Sequence, residues 1–242
     1  MPYNHFAQYY DTLMQNVDYD KRAQYVLLLF EKFDRKPTLL LDLACGTGEF
    51  SKRFSKKGID IIGVDPSFEM LNIAREKLPN ALFLGQSAEE LDLFGTVDGA
   101  VCLMDSLNHI IDYDDFSKAI SKVSLFLEKD RLFIFDVNTE YKHKTLLSDN
   151  TFIIEDENVF CAWQNFTDEN GLTEITLDFF NATKDGKYER YCDEFSERAY
   201  SHEEILTALE NAGLELVEVY GDMTLEKPKS EEERIFYITL KK

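Results

Sequence analysis

The sequence predicts an α/β protein: a doubly wound, mostly parallel sheet of seven strands interrupted by a small antiparallel β insert. Three observations carry this. Short apolar runs alternate with amphipathic stretches through the first half of the chain. Near residue 148 the hydrophobic period falls towards two. After residue 198 a helix-like stretch returns, followed by two more strands. Continuous apolar strands separated by helices are the pattern of a parallel sheet covered on both faces, whereas strict alternation marks strands with one wet face.

Taken in order, the runs "TLLLDL", "DIIGVD", "ALFLGQ", "VDGAVCL" and "RLFIFDVN" are rich in Leu, Ile, Val and Phe and end in turn residues, giving five strands between Thr38 and Asn138. "GEFSKRFSKKG", "SFEMLNIAREKL" and "DFSKAISKVSLFLEK" fill the gaps as helices, with Ser67 as an N-cap and Gly58 as a stop. A helix from Tyr19 to Phe33 precedes the first strand, behind an aromatic-rich "YNHFAQYYDTLMQNVDY". In the insert, "TFIIEDE", "VFCAWQNF", "LTEITLDFF" and "KYERYCDEF" read as an antiparallel meander, with turns at Asn170-Gly171 and Asp185-Gly186. "YSHEEILTALENAG" offers a capping box, Ser201 with Glu204, and a stop at Gly213. "LELVEVYGD" and "RIFYITLKK" close the sheet. The expected division is 1–147 with 199–242 as the main domain, 1–37 of it a helical cap, and 148–198 as the insert.

Charge and cysteine usage narrow the function. Against 46 Asp and Glu stand 26 Lys and Arg, a formal net charge of −20. Such an excess repels phosphate backbones, and the densest basic clusters are pairs such as Lys56-Lys57, so no nucleic acid partner is expected. Cys45, Cys102, Cys161 and Cys192 are widely spaced, with no Cys-x-x-Cys pair and no histidine at ligand spacing, so neither disulfides nor a metal site are expected. The start "MPYNHFAQYYD" lacks the basic and apolar regions of a signal peptide, and no apolar run approaches a membrane span. The reading is a soluble cytoplasmic protein with no membrane partner, a monomer or homodimer.

The chemistry concentrates at "LLLDLACGTGEF". In an open α/β sheet, ligands sit beyond the carboxyl ends of the strands near the switch point, where the turn Ala44-Cys45-Gly46-Thr47-Gly48 falls. Gly46 and Gly48 let a ligand approach bare backbone. Asp65 ends the next strand 23 positions after Asp42, placed to accept hydrogen bonds from ribose hydroxyls. A dinucleotide fingerprint requires a third glycine where Ser51 stands, and Asp42 would oppose a pyrophosphate. An acid there complements a cation, and S-adenosylmethionine (SAM) carries a ribose, an ammonium and a sulfonium without phosphate. The bland reading of Asp42 is a cap on the following helix.

"LLDLACGTGEF" with "GVDPSFEML" resembles the first motifs of the class I SAM-dependent methyltransferases, and the resemblance extends through "VDGAVCLMDSLNHI" to "YSHEEILTALENAGLELVEVYGD" and "ERIFYITLKK". It is similar in particular to bacterial members with a small β domain inserted after strand five. The family implies a Rossmann-like sheet and the cofactor SAM, released as S-adenosylhomocysteine, with no metal. It normally has Gly where Ala44 stands. By this resemblance Ala44, Cys45, Gly46 and Gly48 line the methionine end, Asp65 binds the ribose, and Pro66 and Met70 flank the adenine. Many members place an Asp where Ser87 stands, so Gln86, Ser87 and the backbone of Ala88 are left to bind the base. Met104 and Asp105 face the same pocket.

Methyl transfer from a sulfonium needs positioned, desolvated reactants, and a base only where the acceptor arrives protonated. "MDSLNH" is not the motif of base-amino methyltransferases and no Pro-Cys nucleophile is present, which points to a small acceptor reacting at N or O. His109, with Asp105 to orient it, is the candidate base. Its alternative is a structural role, and His5, His143 and His202 read as surface or capping residues. Cys45 and Cys102 read as small buried residues. The insert 148–198 is expected to cover the acceptor as a lid. Two other functions compete: a SAM-binding sensor without turnover, and a nicotinamide-dependent oxidoreductase, which Asp42 and Ser51 disfavour.

Overall fold

The computed structural model of the chain describes residues 6–156, 159–169 and 171–242. Two helices lead, α1 (Phe6–Leu13) and α2 (Tyr19–Lys32). The alternating half follows as β1 (Leu39–Leu43), α3 (Glu49–Ser55), β2 (Asp60–Val64), α4 (Phe68–Lys77), β3 (Leu82–Leu84), β4 (Gly99–Cys102), α5 (Tyr113–Phe126) and β5 (Leu132–Asn138). The insert is β6 (Thr151–Asp156), β7 (Val159–Thr167), β8 (Leu172–Ala182) and β9 (Tyr188–Arg198). The chain closes with α6 (His202–Asn211), β10 (Leu214–Gly221) and β11 (Arg234–Lys241).

The main sheet has seven strands in the order β10-β11-β5-β4-β1-β2-β3, with β11 antiparallel to both neighbours and the rest of the crossovers parallel. The strand order reverses between β1 and β4, which places the ligand crevice at the carboxyl end of β1. Alternation along β1 sorts its side chains between two layers. Leu41 and Leu43 pack with Phe116 and Ile120 of α5 and Ile205 of α6, while Leu40 packs with Leu29 and Phe30 of α2 and Phe54 of α3. Asp42 shares the second face, a fact that decides its role below.

The local signals hold. Ser67 Oγ accepts from Met70 N at 3.2 Å at the start of α4. Ser201 and Glu204 form the reciprocal capping box on α6. Gly58, Gly186 and Gly213 all adopt positive φ where a helix or hairpin stops, as does Gly171, whose partner in the turn, Asn170, lies outside the described residues.

The insert is a four-stranded antiparallel sheet in the order β6-β7-β8-β9. Cys161, Ile175, Leu177 and Phe179 form its own small core, which Leu13 of α1 completes. A π-helix, Lys142–Leu147, joins β5 to the insert and buries His143 completely. That corrects the surface or capping reading of His143. His202 is exposed at the start of α6, as expected, and His5 lies outside the described residues. All four cysteines are free thiols.

Candidate active site

A cavity of about 590 Å³ opens at the carboxyl end of β1, between the main sheet, α1 and the insert. That is the size of a typical small-molecule site. Ala44, Gly46, Asp65, Pro66 and Met70 line it, together with Ser87 and Ala88 and with Met104, Asp105 and His109.

The turn after β1 owes its shape to its sequence. Ala44 (φ 56°) and Gly46 (φ 52°) are both left-handed, and a Cβ built on Gly46 would meet nothing within 4 Å, so bare backbone faces open space. Asp65, 8 % exposed at the end of β2, fixes the turn: its Oδ2 accepts from Gly46 N and its Oδ1 from Ser67 N, each at 2.9 Å. Burial nevertheless raises the Asp65 carboxyl above the usual range. Ser87 Oγ lines the cavity and is buried without any hydrogen-bond partner, an orphan polar atom that a ligand's base would satisfy.

Of the expected contacts, Asp42, Cys45 and Gly48 are not on the cavity wall, and Gln86 stands on it with its amide engaged. Asp42 does not reach the cavity wall. Its carboxylate, 2 % exposed, accepts from Ser51 Oγ at 2.5 Å and from the Ser51 backbone, capping α3 from the preceding strand because Gly48 has no side chain to do so. Burial pushes the Asp42 carboxyl up to about 7. The Cys45 side chain turns away from the cavity into a small core with Leu71, Ala74 and Phe83, and burial pushes its thiol up. Gly48 serves packing: a Cβ there would lie 3.0 Å from Ala74 Cβ on α4. Gln86 lines the cavity, but both ends of its amide are bonded to the backbone of Asp92, Oε1 accepting at 3.0 Å and Nε2 donating at 3.2 Å.

Asp105 precedes a 3₁₀ turn, Ser106–His109, that ends in His109. The Asp105 carboxylate is engaged elsewhere as well. Its Oδ1 accepts from Arg234 Nη2 at 2.7 Å and its Oδ2 from Asn138 Nδ2 at 2.7 Å. Burial alone would raise the Asp105 carboxyl, but Arg234 and Lys142 hold it below the usual range. The carboxylate that faces His109 is Glu197 of β9, whose Oε1 lies 3.6 Å from His109 Nε2. Its Oε2 lies 3.8 Å from Nε2 of the buried His143. Burial drives Glu197 up and His143 down to about 4. Asp105, His109 and Glu197 form the single group among the described residues able to hold a metal ion, each bringing one ligating atom within 4.8 Å of the others.

Sequence reasoning did not name Glu197, whereas the insert's aromatics do stand in the cavity wall as expected. Trp163, Leu177 and Phe195 line the cavity, as do Leu13 and Met14 from the N-terminal cap. The available signal was parity in β9, where the even-spaced Tyr191, Asp193, Phe195 and Glu197 share the covered face.

Residues 40–130 match the family model described as a methyltransferase domain. YqeM of Bacillus subtilis (strain 168), named as a methyltransferase, is 33 % identical over 241 residues, covering 98 % of this chain and 96 % of that protein. The chain belongs to the SAM-dependent methyltransferases. The solved structure of a SAM-dependent methyltransferase from Clostridium acetobutylicum ATCC 824 superposes with a TM-score of 0.89 at 32 % identity, covering 99 % of this chain and 98 % of that one. The sugar N-methyltransferase KedS8 from Streptoalloteichus sp ATCC 53650 shares the fold at 19 % identity, with a TM-score of 0.79 over 95 % of this chain and 90 % of its own. Membership of this family supports SAM as the cofactor, and the orphan Ser87 hydroxyl, the open Gly46 backbone and Asp65 fit it. Among the described residues no helix is long and apolar enough to cross a membrane.

Proposed function

We propose that the enzyme transfers a methyl group to a nitrogen or oxygen atom of a small molecule, with SAM at the Gly46–Asp65 end of the cavity and the acceptor under the insert. One observation carries this: a single cavity is lined both by the backbone turn and Asp65 and by Trp163, Leu177 and Phe195 of the insert. SAM supplies an activated methyl on a sulfonium. The chain supplies the rest. Asp65 accepts the ribose hydroxyls, Pro66 and Met70 flank the adenine, Ser87 bonds its edge, and Ala44 to Gly46 present backbone to the methionine end. His109 takes a proton from an acceptor that arrives protonated, and the Glu197 carboxylate, 3.6 Å from its Nε2, favours the imidazolium that forms. The insert 148–198 excludes water over the reacting atoms, which strengthens each electrostatic contact there. KedS8's sugar substrate class supports an acceptor of modest size.

Titration with SAM and S-adenosylhomocysteine, followed by turnover of labelled SAM across a metabolite panel, tests the reading. Binding without turnover on any small molecule would favour the sensor instead. Asp65→Ala should weaken S-adenosylhomocysteine binding about ten- to a hundredfold, because hydrogen bonds to a charged group contribute roughly 1.5–3 kcal/mol. Unchanged affinity in a folded variant would remove the ribose role. Trp163→Ala tests the lid. S-adenosylhomocysteine affinity should stay within about twofold while kcat/KM for the acceptor falls roughly tenfold or more, since truncating a large aromatic anchor costs about 1–2 kcal/mol or more. Equal losses in both would place Trp163 on the cofactor side.

A further inference from the structure

We propose that the acceptor is a cationic amine with an apolar body and no phosphate or carboxylate, its ammonium group seated between Glu197 and His109. The inference rests on the methyl-transfer reading and narrows its acceptor. Its first support is Glu197. The residue is 4 % exposed and lines the cavity, yet its Oε2 has no hydrogen-bond partner, and the imidazole nitrogens nearest the two oxygens stand 3.6 and 3.8 Å away. Those gaps are too long for hydrogen bonds. A buried carboxylate oxygen left without a hydrogen bond is costly unless a cation arrives to pair it. The His143 nitrogen opposite is likewise orphaned.

The second support is the sign of the wall. Asp65, Glu89, Asp105, Asp112, Asp115 and Glu197 line the cavity, and no Lys or Arg stands among its lining residues. The two cations behind it are committed. Arg234 is clamped between Asp105 and Asp136, and Lys142 Nζ donates to Asn138 Oδ1 at 2.9 Å. Phosphates are held by guanidinium or ammonium groups or by an open helix N-terminus. The two helix starts on the cavity wall are closed: α4 by the Ser67 hydroxyl, with Glu69 in its first turn, and α5 by the Asp112 carboxylate, with Asp114 and Asp115. A phosphorylated, nucleotide-linked or carboxylated acceptor would therefore be disfavoured. The third support is the body of the compartment. Trp163, Leu177, Phe195, Leu13 and Met14 give it apolar walls, and the two aromatic faces favour a neighbouring cation.

The step balances. The bound ammonium gives one proton to His109 Nε2, and the half-exposed imidazole, 32 % accessible, passes it to solvent. The freed lone pair forms the N–C bond as the C–S pair returns to sulfur, leaving a neutral thioether and an N-methylammonium.

The test is calorimetry on the full chain saturated with S-adenosylhomocysteine. The probes are 2-phenylethylamine, 2-phenylethanol, phenylalanine, a C4–C8 series of alkylamines, and a nucleotide-linked amino sugar. At least one simple amine should bind tenfold or more tighter than its alcohol and its carboxylated counterpart, and the nucleotide-linked sugar should not bind. Glu197→Gln should erase the preference for amine over alcohol while S-adenosylhomocysteine affinity stays unchanged and the melting temperature does not fall. Binding of no amine, equal binding of alcohol or carboxylated amine, or a preference that survives Glu197→Gln would overturn the proposal. So would a requirement for added Mn²⁺ or Zn²⁺, which would assign the seat to a metal. Failure of S-adenosylhomocysteine itself to bind would instead overturn the cofactor reading on which all this stands.

Discussion

Replacing Arg234 with Met is expected to destabilise the protein by about 3–5 kcal/mol at pH 7.5, the usual cost of stripping one partner from a buried ion cluster. For a chain of this size that is a drop of roughly 6–20 °C in Tm. Arg234 is 7 % exposed on β11 and ion-pairs with both Asp105 and Asp136, which are themselves largely buried. Asp136 in turn accepts from Met104 N at 2.8 Å and Asp105 N at 3.0 Å, fixing two consecutive left-handed residues (φ 59° and 53°) at the mouth of the cavity. Such backbone persists only where its surroundings over-determine it. Arg234 also keeps the Asp105 carboxyl below the usual range, so the pair's contribution is present above that range and is lost as pH falls through the folded value. The penalty in the variant should therefore shrink at pH 4–5, where Asp105 can take a proton. Urea denaturation of wild type and variant at both pH values checks this. A penalty below about 1 kcal/mol at pH 7.5, or one that does not shrink in acid, would mean that the cluster is not coupled as described.

That cluster shows where the sequence stops being readable. The strands were legible because burial on both faces forces continuous apolar runs, and the caps at Ser67 and Ser201 because capping is local. The insert was legible because its period is two. The pairing of Arg234 with Asp105 spans 129 positions and depends on β11 entering the sheet beside β5, which nothing in the stretch "EEERIFYITL" states. Glu197 was equally hidden: in "CDEFSER" it is one acid among several, and only the closure of β9 over the 3₁₀ turn brings it to His109. Gly46 and Asp65 were legible as a pair because a turn and a strand end at a switch point are fixed by topology. Asp42 was misread, although its parity with Leu40 on β1 already pointed it at α3 and away from the ligand.

Asp42 therefore yields the second large effect. Its carboxyl is pushed up to about 7 by burial, with the Asp65 charge adding to it and the Ser51 hydrogen bonds opposing. An acid whose folded value lies above its unfolded value of 3.8 binds more protons when folded. Its charge then costs nothing below about pH 4, and the cost grows as pH rises and is complete above about 7. With a shift of roughly 3 units at 1.36 kcal/mol each, the wild type loses about 4 kcal/mol across that window. Asp42→Asn cannot ionise, and its Oδ1 can still accept from Ser51. Its amide group replaces the acid proton and leaves a buried donor to satisfy, at about 1–3 kcal/mol. The two stability curves should consequently cross: the variant is the less stable protein at pH 4.5 and the more stable at pH 8.5. S-adenosylhomocysteine affinity should fall far less than in Asp65→Ala, because Asp42 supports the turn from behind and only Asp65 stands on the wall. Parallel stability curves would mean that Asp42 is ionised throughout. A loss of affinity as large as that of Asp65→Ala would return Asp42 to the ligand and restore the reading in which it complements the cofactor's positive charge.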